Sequence, residues 1–184
     1  MPAIETAKAV LAREIDATKD TARSYTVVFP FGSESGTRTQ VLLGLKKRGM
    51  GVGLWNGFGG KVEPKETFDE CAHRELKEEC GLSAAAMRHV GTLFMKRRDG
   101  TGMTICVYTA HGLSGPIVES DEMKPKWFDV LDLPYDNAYK EARLWWPTML
   151  DGKPFVGRFA FSHPDIIRYD IECVDAADLA MAAR

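Results

Sequence analysis

The sequence predicts an α+β domain in which helices cover both faces of a mixed β-sheet, an α/β/α sandwich. Three observations predict this class. Most apolar segments are short, rich in β-branched and aromatic residues, and follow one another as hairpins. One mid-chain segment carries strong helical signals, and a second helical pattern lies near the C-terminus. The 184 residues, 45% hydrophobic and 27% charged, have an ordinary composition for a globular domain with a sizeable core.

The first part of the chain predicts a helix, a hairpin and a glycine-rich loop. Apolar residues at helical spacing over residues 3–19 indicate a helix that packs by one stripe, with a frayed appendage as the alternative. Residues 25–31 and 40–45 predict the two strands of a hairpin. Residues 49–60 contain six glycines, which predicts a loop whose backbone bends or lets another group approach closely.

The rest of the chain predicts one well-delimited helix and two further hairpins. The helix at residues 65–80 has Pro64 just before it and Gly81 just after it, where a left-handed cap is favoured. The other predicted elements, in order, are strands at 88–97 and 103–110 joined around Asp99-Gly100, a strand at 126–130, a helical segment at 137–150 interrupted by Pro147, a hairpin of 153–161 and 166–174, and an Ala-rich tail that forms a short helix or is disordered.

Charge and composition exclude several classes of partner. Lys and Arg number 24 and Asp and Glu 26, so the net charge of −2 gives no electrostatic footprint for a nucleic-acid polymer. No apolar run approaches the roughly 18 residues of a membrane span. The first twenty residues lack a secretory core and carry too many acids for a transit peptide. The four cysteines form no C-x-x-C pair, so we expect reduced thiols and no zinc site. We expect a cytoplasmic protein, with the nucleus or mitochondrial matrix as alternatives in a eukaryote.

Three glutamates fall on one face of the mid-chain helix. Glu75, Glu78 and Glu79 are spaced i, i+3 and i+4, where like charges repel, so helix stability does not reward them. Clustered carboxylates suit a hard divalent cation such as Mg²⁺, which usually shares its shell with substrate phosphates. The glycine loop before the helix lets backbone groups approach that metal or a phosphate. From the residues alone, a solvated acidic face is the alternative.

The spacing around these glutamates resembles the complete Nudix box. The matching positions are Gly60, Glu66, Arg74-Glu75-Leu76, Glu78-Glu79 and Gly81-Leu82. The chain is also similar to the MutT-like Nudix branch of animal enzymes that hydrolyse oxidised purine nucleoside triphosphates. That similarity is carried by residues 41–49, 55–62, 118–123, 127–128 and 145–147. The resemblance covers residues 25–174. It implies a Nudix fold, with residues 1–23 as a helical extension, 24–174 as the hydrolase domain and 175–184 as a tail.

The resemblance implies a metal site and a hydrolytic reaction. The implied Mg²⁺ ligands, for which Mn²⁺ can substitute, are the Gly59 carbonyl and the carboxylates of Glu75, Glu78, Glu79 and Glu122. Water attacks phosphorus and releases a nucleoside monophosphate and pyrophosphate. Glu79, Glu78 and Glu122 are the implied catalytic residues, and Glu79 is the most plausible general base. Glu66 and Arg74 are expected to brace the loop against the helix.

The resemblance also implies a purine pocket. The implied substrate-binding residues are Thr26, Lys46, Asn56, Phe58, Gly60, Lys61, Tyr139 and Glu141. Asn56 suits a purine edge because an amide both donates and accepts, and a turn-forming role before Gly57 is the alternative. Where the relatives carry Trp, Pro and two adjacent aspartates, this chain has Tyr139, Lys140, Glu141 and Ala142. One carboxylate is thus longer and the other absent, which weakens discrimination between base edges. A shifted register using Asp132 or Asp136 is the alternative.

The leading hypothesis is a Mg²⁺-dependent hydrolase of oxidised purine nucleoside triphosphates, such as 8-oxo-dGTP and 2-hydroxy-dATP, that sanitises the nucleotide pool. One alternative is a Nudix hydrolase of another nucleoside diphosphate derivative, such as ADP-ribose, a dinucleotide polyphosphate or capped RNA. A non-catalytic nucleotide-binding module and an isoprenoid diphosphate isomerase are further alternatives. We expect a small nucleotide as the partner, no nucleic-acid polymer, no membrane and a monomer.

Overall fold

The computed structural model describes residues 11–12, 23–34, 37–162 and 165–182. Within these ranges eight strands form one sheet, and three helices pack on it. The strands are β1 (Arg23–Glu34), β2 (Thr37–Lys46), β3 (Trp55–Asn56), β4 (Ser83–Arg97), β5 (Gly102–Ser114), β6 (Met123–Asp129), β7 (Phe155–Ser162) and β8 (Asp165–Cys173); the helices are α1 (Phe68–Cys80), α2 (Ala142–Leu150) and α3 (Ala176–Ala182).

The sheet is mixed, as predicted. Its order is β3-β2-β1-β5-β4-β7-β8, and β6 pairs with β2 outside this path. The pairs β1–β5 and β4–β7 are parallel, and the other pairs are antiparallel. The three predicted hairpins, β1–β2, β4–β5 and β7–β8, are confirmed.

Helices lie on both faces of the sheet because successive side chains of a strand point in opposite directions. Val28 of β1 packs in one apolar cluster with Leu76 of α1. Its neighbour Phe29 makes edge-to-face contacts with Trp145 and Trp146 of α2, with ring centroids 5.7 Å apart in both pairs. The predicted α/β/α arrangement is therefore confirmed, and its two cores lie on either side of β1 and β5.

A third apolar cluster joins the two ends of the described chain. The helix predicted over residues 3–19 lies outside the described residues except for Leu11 and Ala12, which are helical. Leu11 is buried in a cluster with Phe94 of β4, Val156 of β7 and Leu179 of α3. The helical alternative for the C-terminal tail is confirmed by α3, whose Leu179 packs on the sheet.

Helix α1 ends where the sequence predicts but begins later. Gly81 adopts φ 78° and its N–H donates to Lys77 O, which gives the expected left-handed cap. The predicted start at residue 65 is wrong because Lys65 has φ 72°, outside the helical region. Thr67 is the N-cap instead, and it forms a reciprocal capping box with Glu70.

Several further elements differ from the sequence predictions. Strand β6 starts at Met123 instead of residue 126, and α2 starts at Ala142 instead of residue 137. The loop at residues 49–60 contains the two-residue strand β3, paired with Gly44 and Leu45. Strand β4 starts at Ser83, ahead of the predicted position, because the alanines at its start carry a weak strand signal. Helix α2 continues through Pro147, where an interruption was predicted. Trp145 and Trp146, the two residues before Pro147, are buried and both contact Phe29 of β1, and this packing keeps the segment helical although proline removes one backbone hydrogen bond. In the described part of the chain, every helix is too short or too polar to span a lipid bilayer.

Candidate active site

Arg74 of α1 holds four groups of the site in fixed positions. Its Nε and Nη2 donate to the two carboxylate oxygens of Glu66 at 2.7 and 2.9 Å. Its Nη1 donates to Glu75 at 2.7 Å and to Glu78 at 3.2 Å, and Nη2 also reaches the carbonyl of Lys61 at 3.3 Å. The hydrogen bonds from Arg74 lower the pKa of Glu66 to about 2. The guanidinium therefore ties the loop before α1 to the acidic face of the helix.

Glu79 is a buried carboxylate in the last turn of α1. Only 4% of the residue is exposed. Its Oε2 accepts a hydrogen bond of 2.8 Å from the Gly59 N–H, and its Oε1 lies 3.6 Å from Lys46 Nζ. Burial raises the pKa of Glu79 to about 7, and the nearby Glu75 and Glu122 act in the same direction. A carboxyl group poised near neutrality can accept a proton at physiological pH.

The approach of the loop to the helix depends on a glycine. A Cβ atom on Gly60 would lie 2.6 Å from Cδ of Glu75. Burial raises the pKa of Glu75, although the adjacent Arg74 partly opposes this effect. The carboxylate of Glu75 thus occupies the space that any other residue at position 60 would fill.

Glu122 reaches the site from the segment before β6, where two basic side chains of β2 and its following turn hold it. Lys46 Nζ lies 3.2 Å and Arg48 Nη2 2.6 Å from the Glu122 carboxylate. These hydrogen bonds lower the pKa of Glu122. The Lys47 N–H donates to the carbonyl of Glu122 at 2.8 Å, and its side chain pairs with Glu119 at 2.7 Å. The sequence carries no local signal that pairs Arg48 with an acid 74 residues away.

The donor atoms at this end of α1 are of the chemical type that a hard divalent cation prefers. The carboxylates of Glu75, Glu78, Glu79 and Glu122 and the Gly59 carbonyl offer the oxygen ligands that Mg²⁺ prefers. Each carboxylate already faces at least one of three basic side chains, those of Arg74, Lys46 and Arg48. Within residues 11–12, 23–34, 37–162 and 165–182, no three His, Cys, Asp or Glu side chains converge on a single point. A cation would compete with those basic side chains for the same oxygens.

A second group of predicted residues lies at the β3 edge of the sheet. Ala138 forms a parallel bridge with Trp55, the neighbour of Asn56, so the segment carrying Tyr139 and Glu141 runs beside β3. Asn56 is half-buried, and its amide makes no hydrogen bond to another side chain in the described ranges. Burial raises the pKa of Glu141, whose carboxyl is half-buried at the start of α2. This edge therefore offers an amide and a carboxyl with free hydrogen-bonding capacity.

The structure places other predicted substrate-binding residues away from this edge. Phe58 is fully buried in the core beneath α1. Thr26 is also buried, and its hydroxyl lies 3.3 Å from Cys71 Sγ on the α1 face. Lys61 is exposed, and its carbonyl binds Arg74. Nothing in the sequence predicts the contact between Thr26 and Cys71, because Cys71 is only recognisable as a small apolar residue of α1.

The two acids of the alternative register, Asp132 and Asp136, lie at the protein surface. Asp132 is exposed, and Asp136 is exposed and pairs with Arg143. Ala142 occupies the position at which the similar animal enzymes carry the second aspartate. It is buried in the core that contains Trp145. Among the acids of this segment, Glu141 is the half-buried one beside β3.

Residues 21–148 match the NUDIX domain family. The oxidized purine nucleoside triphosphate hydrolase of Danio rerio is 43% identical over 129 residues, which are 70% of this chain and 83% of that protein. The protein of the same description from Mus musculus is 38% identical over 158 residues, 85% of this chain and 98% of that protein.

Solved structures show the same fold. The MutT protein from Bacillus halodurans superposes with a TM-score of 0.71 at 21% identity, covering 82% of this chain and 97% of that chain. A MutT NUDIX hydrolase from Burkholderia pseudomallei superposes with a TM-score of 0.53 at 26% identity, covering 61% of this chain and 87% of that chain. The predicted fold is therefore confirmed by the architecture and by these superpositions.

Proposed function

The chain belongs to the Nudix family of pyrophosphohydrolases, and we propose that it hydrolyses purine nucleoside triphosphates to the monophosphate and pyrophosphate with Mg²⁺. Oxidised purines such as 8-oxo-dGTP and 2-hydroxy-dATP are the proposed preferred substrates, which makes the enzyme a sanitiser of the nucleotide pool. The observation that carries the reaction is the buried Glu79 carboxylate, bonded to the Gly59 N–H beside Glu75 and Glu122. The two animal relatives, matched over 83% and 98% of their lengths, support the substrate class.

The metal is proposed to be held by Glu75, Glu78, Glu79, Glu122 and the Gly59 carbonyl. When bound, Mg²⁺ neutralises charge on the phosphates and lowers the pKa of a coordinated water. Nudix enzymes typically depend on a divalent metal, and the donor chemistry here favours oxygen-preferring ions, Mn²⁺ included.

The protein's own groups then have separate tasks. Glu79 accepts a proton at Oε1, because Oε2 is already occupied by the Gly59 N–H. Arg74 fixes the orientation of Glu75 and Glu78 through its hydrogen bonds. Lys46, whose side chain is 20% exposed between Glu79 and Glu122, can turn its ammonium group toward the phosphates.

The nucleoside is proposed to bind at the β3 edge of the sheet. Asn56 and Glu141 there can hydrogen-bond a purine edge, and the ring of Tyr139 provides a stacking surface. Glu141 is the single carboxyl of this edge, since position 142 holds a buried alanine. The substrate enters as a free nucleotide, and the enzyme acts as a cytoplasmic monomer.

A panel of substrates tests this proposal. Wild-type protein with Mg²⁺ is assayed on 8-oxo-dGTP, 2-hydroxy-dATP, dGTP, dATP and ADP-ribose, and pyrophosphate and monophosphate are quantified. We expect pyrophosphate from the purine triphosphates, fastest from the oxidised ones. Release of AMP from ADP-ribose with no pyrophosphate from any triphosphate would replace this proposal by a nucleoside diphosphate-derivative hydrolase. The Glu63→Gln variant is a matched control, because Glu63 is an exposed acid of the same loop whose carboxylate lies outside the metal set.

A further inference from the structure

A short loop joins β2 to β3 at the rim of the candidate site. We call residues 47–54 the rim loop. It is closed by three backbone hydrogen bonds, from Lys46 N to Leu54 O at 2.9 Å, from Gly53 N to Lys46 O at 2.8 Å and from Leu54 N to Gly51 O at 3.0 Å. Its three glycines at positions 49, 51 and 53 all have positive φ. Such a loop has much conformational entropy to lose and needs further contacts to stay in one position.

Tyr139, which is distant in sequence, contacts the tip of the rim loop. Its hydroxyl donates a hydrogen bond of 3.1 Å to the carbonyl of Met50, 89 residues away in sequence. The ring also fills the space beside Gly51, where an added Cβ would lie 2.6 Å from Tyr139 Cζ. Glycine at position 51 therefore lets the tyrosine approach closely enough for its hydroxyl to reach the loop backbone.

The tip of the rim loop presents apolar side chains to solvent. Met50 is 62% and Val52 58% exposed, and the Met50 sulfur lies 3.7 Å from Arg97 Nη2. The same tyrosine follows Ala138, which pairs with Trp55 beside Asn56. A loop fixed by Tyr139 thus places exposed apolar groups next to the edge where the nucleoside is proposed to bind. Apolar side chains with few polar partners are what the faces of a purine ring contact favourably.

We propose that the hydroxyl of Tyr139 is a positioning group that holds the rim loop against the nucleoside side of the site and so raises the affinity for the purine. The effect on the nucleotide rests on the proposed function, whereas the effect on the loop does not. The hydroxyl acts through Met50, and the ring alone cannot replace it, since phenylalanine would leave the Met50 carbonyl without this donor.

The experiment compares Tyr139→Phe with Tyr135→Phe. Tyr135 is a matched control because it lies four residues earlier, packs on Trp146 and donates no hydroxyl hydrogen bond to a described residue. Hydrogen–deuterium exchange is followed at the amides of Gly53 and Leu54, which close the loop. Steady-state kinetics are measured with a purine nucleoside triphosphate and Mg²⁺.

Loss of one hydrogen bond should speed exchange at Gly53 and Leu54, and raise KM, by about two- to tenfold in Tyr139→Phe. The kcat should stay unchanged, and Tyr135→Phe should match the wild type in every measurement. Unchanged exchange in Tyr139→Phe overturns the proposal whatever the substrate is. Faster exchange with an unchanged KM overturns the positioning role as well.

A second variant approaches the same contact from the loop. Gly51→Ala should expel the Tyr139 ring and accelerate exchange at Leu54 more than Gly49→Ala does, because both glycines have a positive φ but an added Cβ meets nothing within 4 Å at Gly49. Wild-type protein that hydrolyses none of the purine triphosphates would remove the proposed function. The exchange comparison of the two variants would still decide whether the tyrosine holds the loop, because it needs no substrate.

Discussion

The backbone N–H of Gly59 donates a hydrogen bond of 2.8 Å to Oε2 of Glu79, and this contact joins the glycine-rich loop to the last turn of α1. The two residues are 20 positions apart, and Glu79 lies in the helix that begins after the N-cap Thr67. One oxygen of the carboxylate is therefore committed to the fold, and the other faces Lys46 at 3.6 Å. A buried acid with one fixed and one available oxygen is well suited to receive a proton from a defined direction.

Replacing Glu79 by Gln should remove activity while keeping the fold. The amide oxygen of glutamine can still accept the Gly59 N–H, but the side chain can no longer take up a proton or contribute charge to the metal site. We expect kcat to fall by about 10²- to 10⁴-fold, the range for loss of a general base. Pyrophosphate release measures the rate, and thermal unfolding in the presence of a chelator checks the fold.

The Glu63→Gln variant should keep wild-type activity in the same assay. Activity of Glu79→Gln within about tenfold of the wild type would remove Glu79 from the proton transfer. An equal loss in both variants would point to a general effect of removing an acid from this region.

Replacing Gly60 by Ala should destabilise the protein through Glu75. The new methyl group would lie 2.6 Å from Cδ of that carboxylate and force it away from Arg74. We expect a loss of about 1–3 kcal/mol in the free energy of unfolding, as for other overpacked sites. Urea unfolding of the wild type, Gly60→Ala, Glu75→Ala and the double variant measures the coupling. Because Glu75→Ala vacates the contested space, the alanine at position 60 should cost less in that background, and strictly additive effects would contradict the clash.

Local signals in the sequence were sufficient to predict α1 and the hairpins. Gly81 follows the helical segment, where the left-handed conformation of a C-terminal cap favours glycine, and it forms that cap. The turn at Asp99-Gly100 joins β4 to β5 as predicted. The helix start was misplaced because Lys65 adopts a positive φ that is rare for lysine and therefore has no sequence signature. Boundaries set by tertiary contacts are the ones that local patterns miss.

In the candidate site, contacts within one helix were predictable from the sequence, whereas contacts between distant segments were not. The acidic face of α1 follows from helical spacing, so Glu75, Glu78 and Glu79 were identifiable from the sequence. The partners of Glu122 and Met50 were not, since Arg48 and Tyr139 reach them across 74 and 89 residues through the sheet. Only the order and register of the strands bring these side chains together.

The Glu66–Arg74 pair should give the protein a measurable acid dependence. The pKa of Glu66 is lowered from an ordinary 4.5 to about 2 by the hydrogen bonds from Arg74 and from the Glu63 N–H. The folded state therefore binds this proton less tightly than the unfolded state. The pair stabilises the fold above about pH 4.5, and this contribution is lost as the pH falls toward 2.

Thermal unfolding of the wild type and Glu66→Gln across this pH range tests the dependence, with chelator present throughout. The variant should have the lower Tm near neutral pH, and the difference should shrink steadily below about pH 4.5. Glu63→Gln, which keeps the backbone donor to Glu66, should follow the wild type. A Tm difference that is constant with pH would show that the variant perturbs the loop by some means other than the ion pair.

Replacing Glu141 by Gln should change which purine the enzyme prefers. The carboxyl is half-buried beside β3, burial raises its pKa, and no side-chain hydrogen bond to the helix end engages it. Glutamine keeps the length of the side chain but replaces one carboxylate oxygen, an acceptor, by an NH2 group, a donor. A purine edge must therefore present an acceptor where it presented a donor to Glu141. A hydrogen bond that involves a charged group contributes enough for a change of about tenfold to a hundredfold in the ratio of kcat/KM for 8-oxo-dGTP to that for dGTP.

Lys140→Gln serves as the neighbouring control, because the Lys140 side chain is exposed and pairs with Asp165. Its selectivity ratio should equal that of the wild type. The Tm of Glu141→Gln should not fall, since the substitution removes a partly desolvated acid, and the amide oxygen of glutamine can still accept the backbone hydrogen bond at position 141. If the ratio stays the same in Glu141→Gln while pyrophosphate release continues, the carboxyl does not contact the base. Selectivity would then have to arise from Asn56, which could be tested by the equivalent comparison of Asn56→Asp with the wild type.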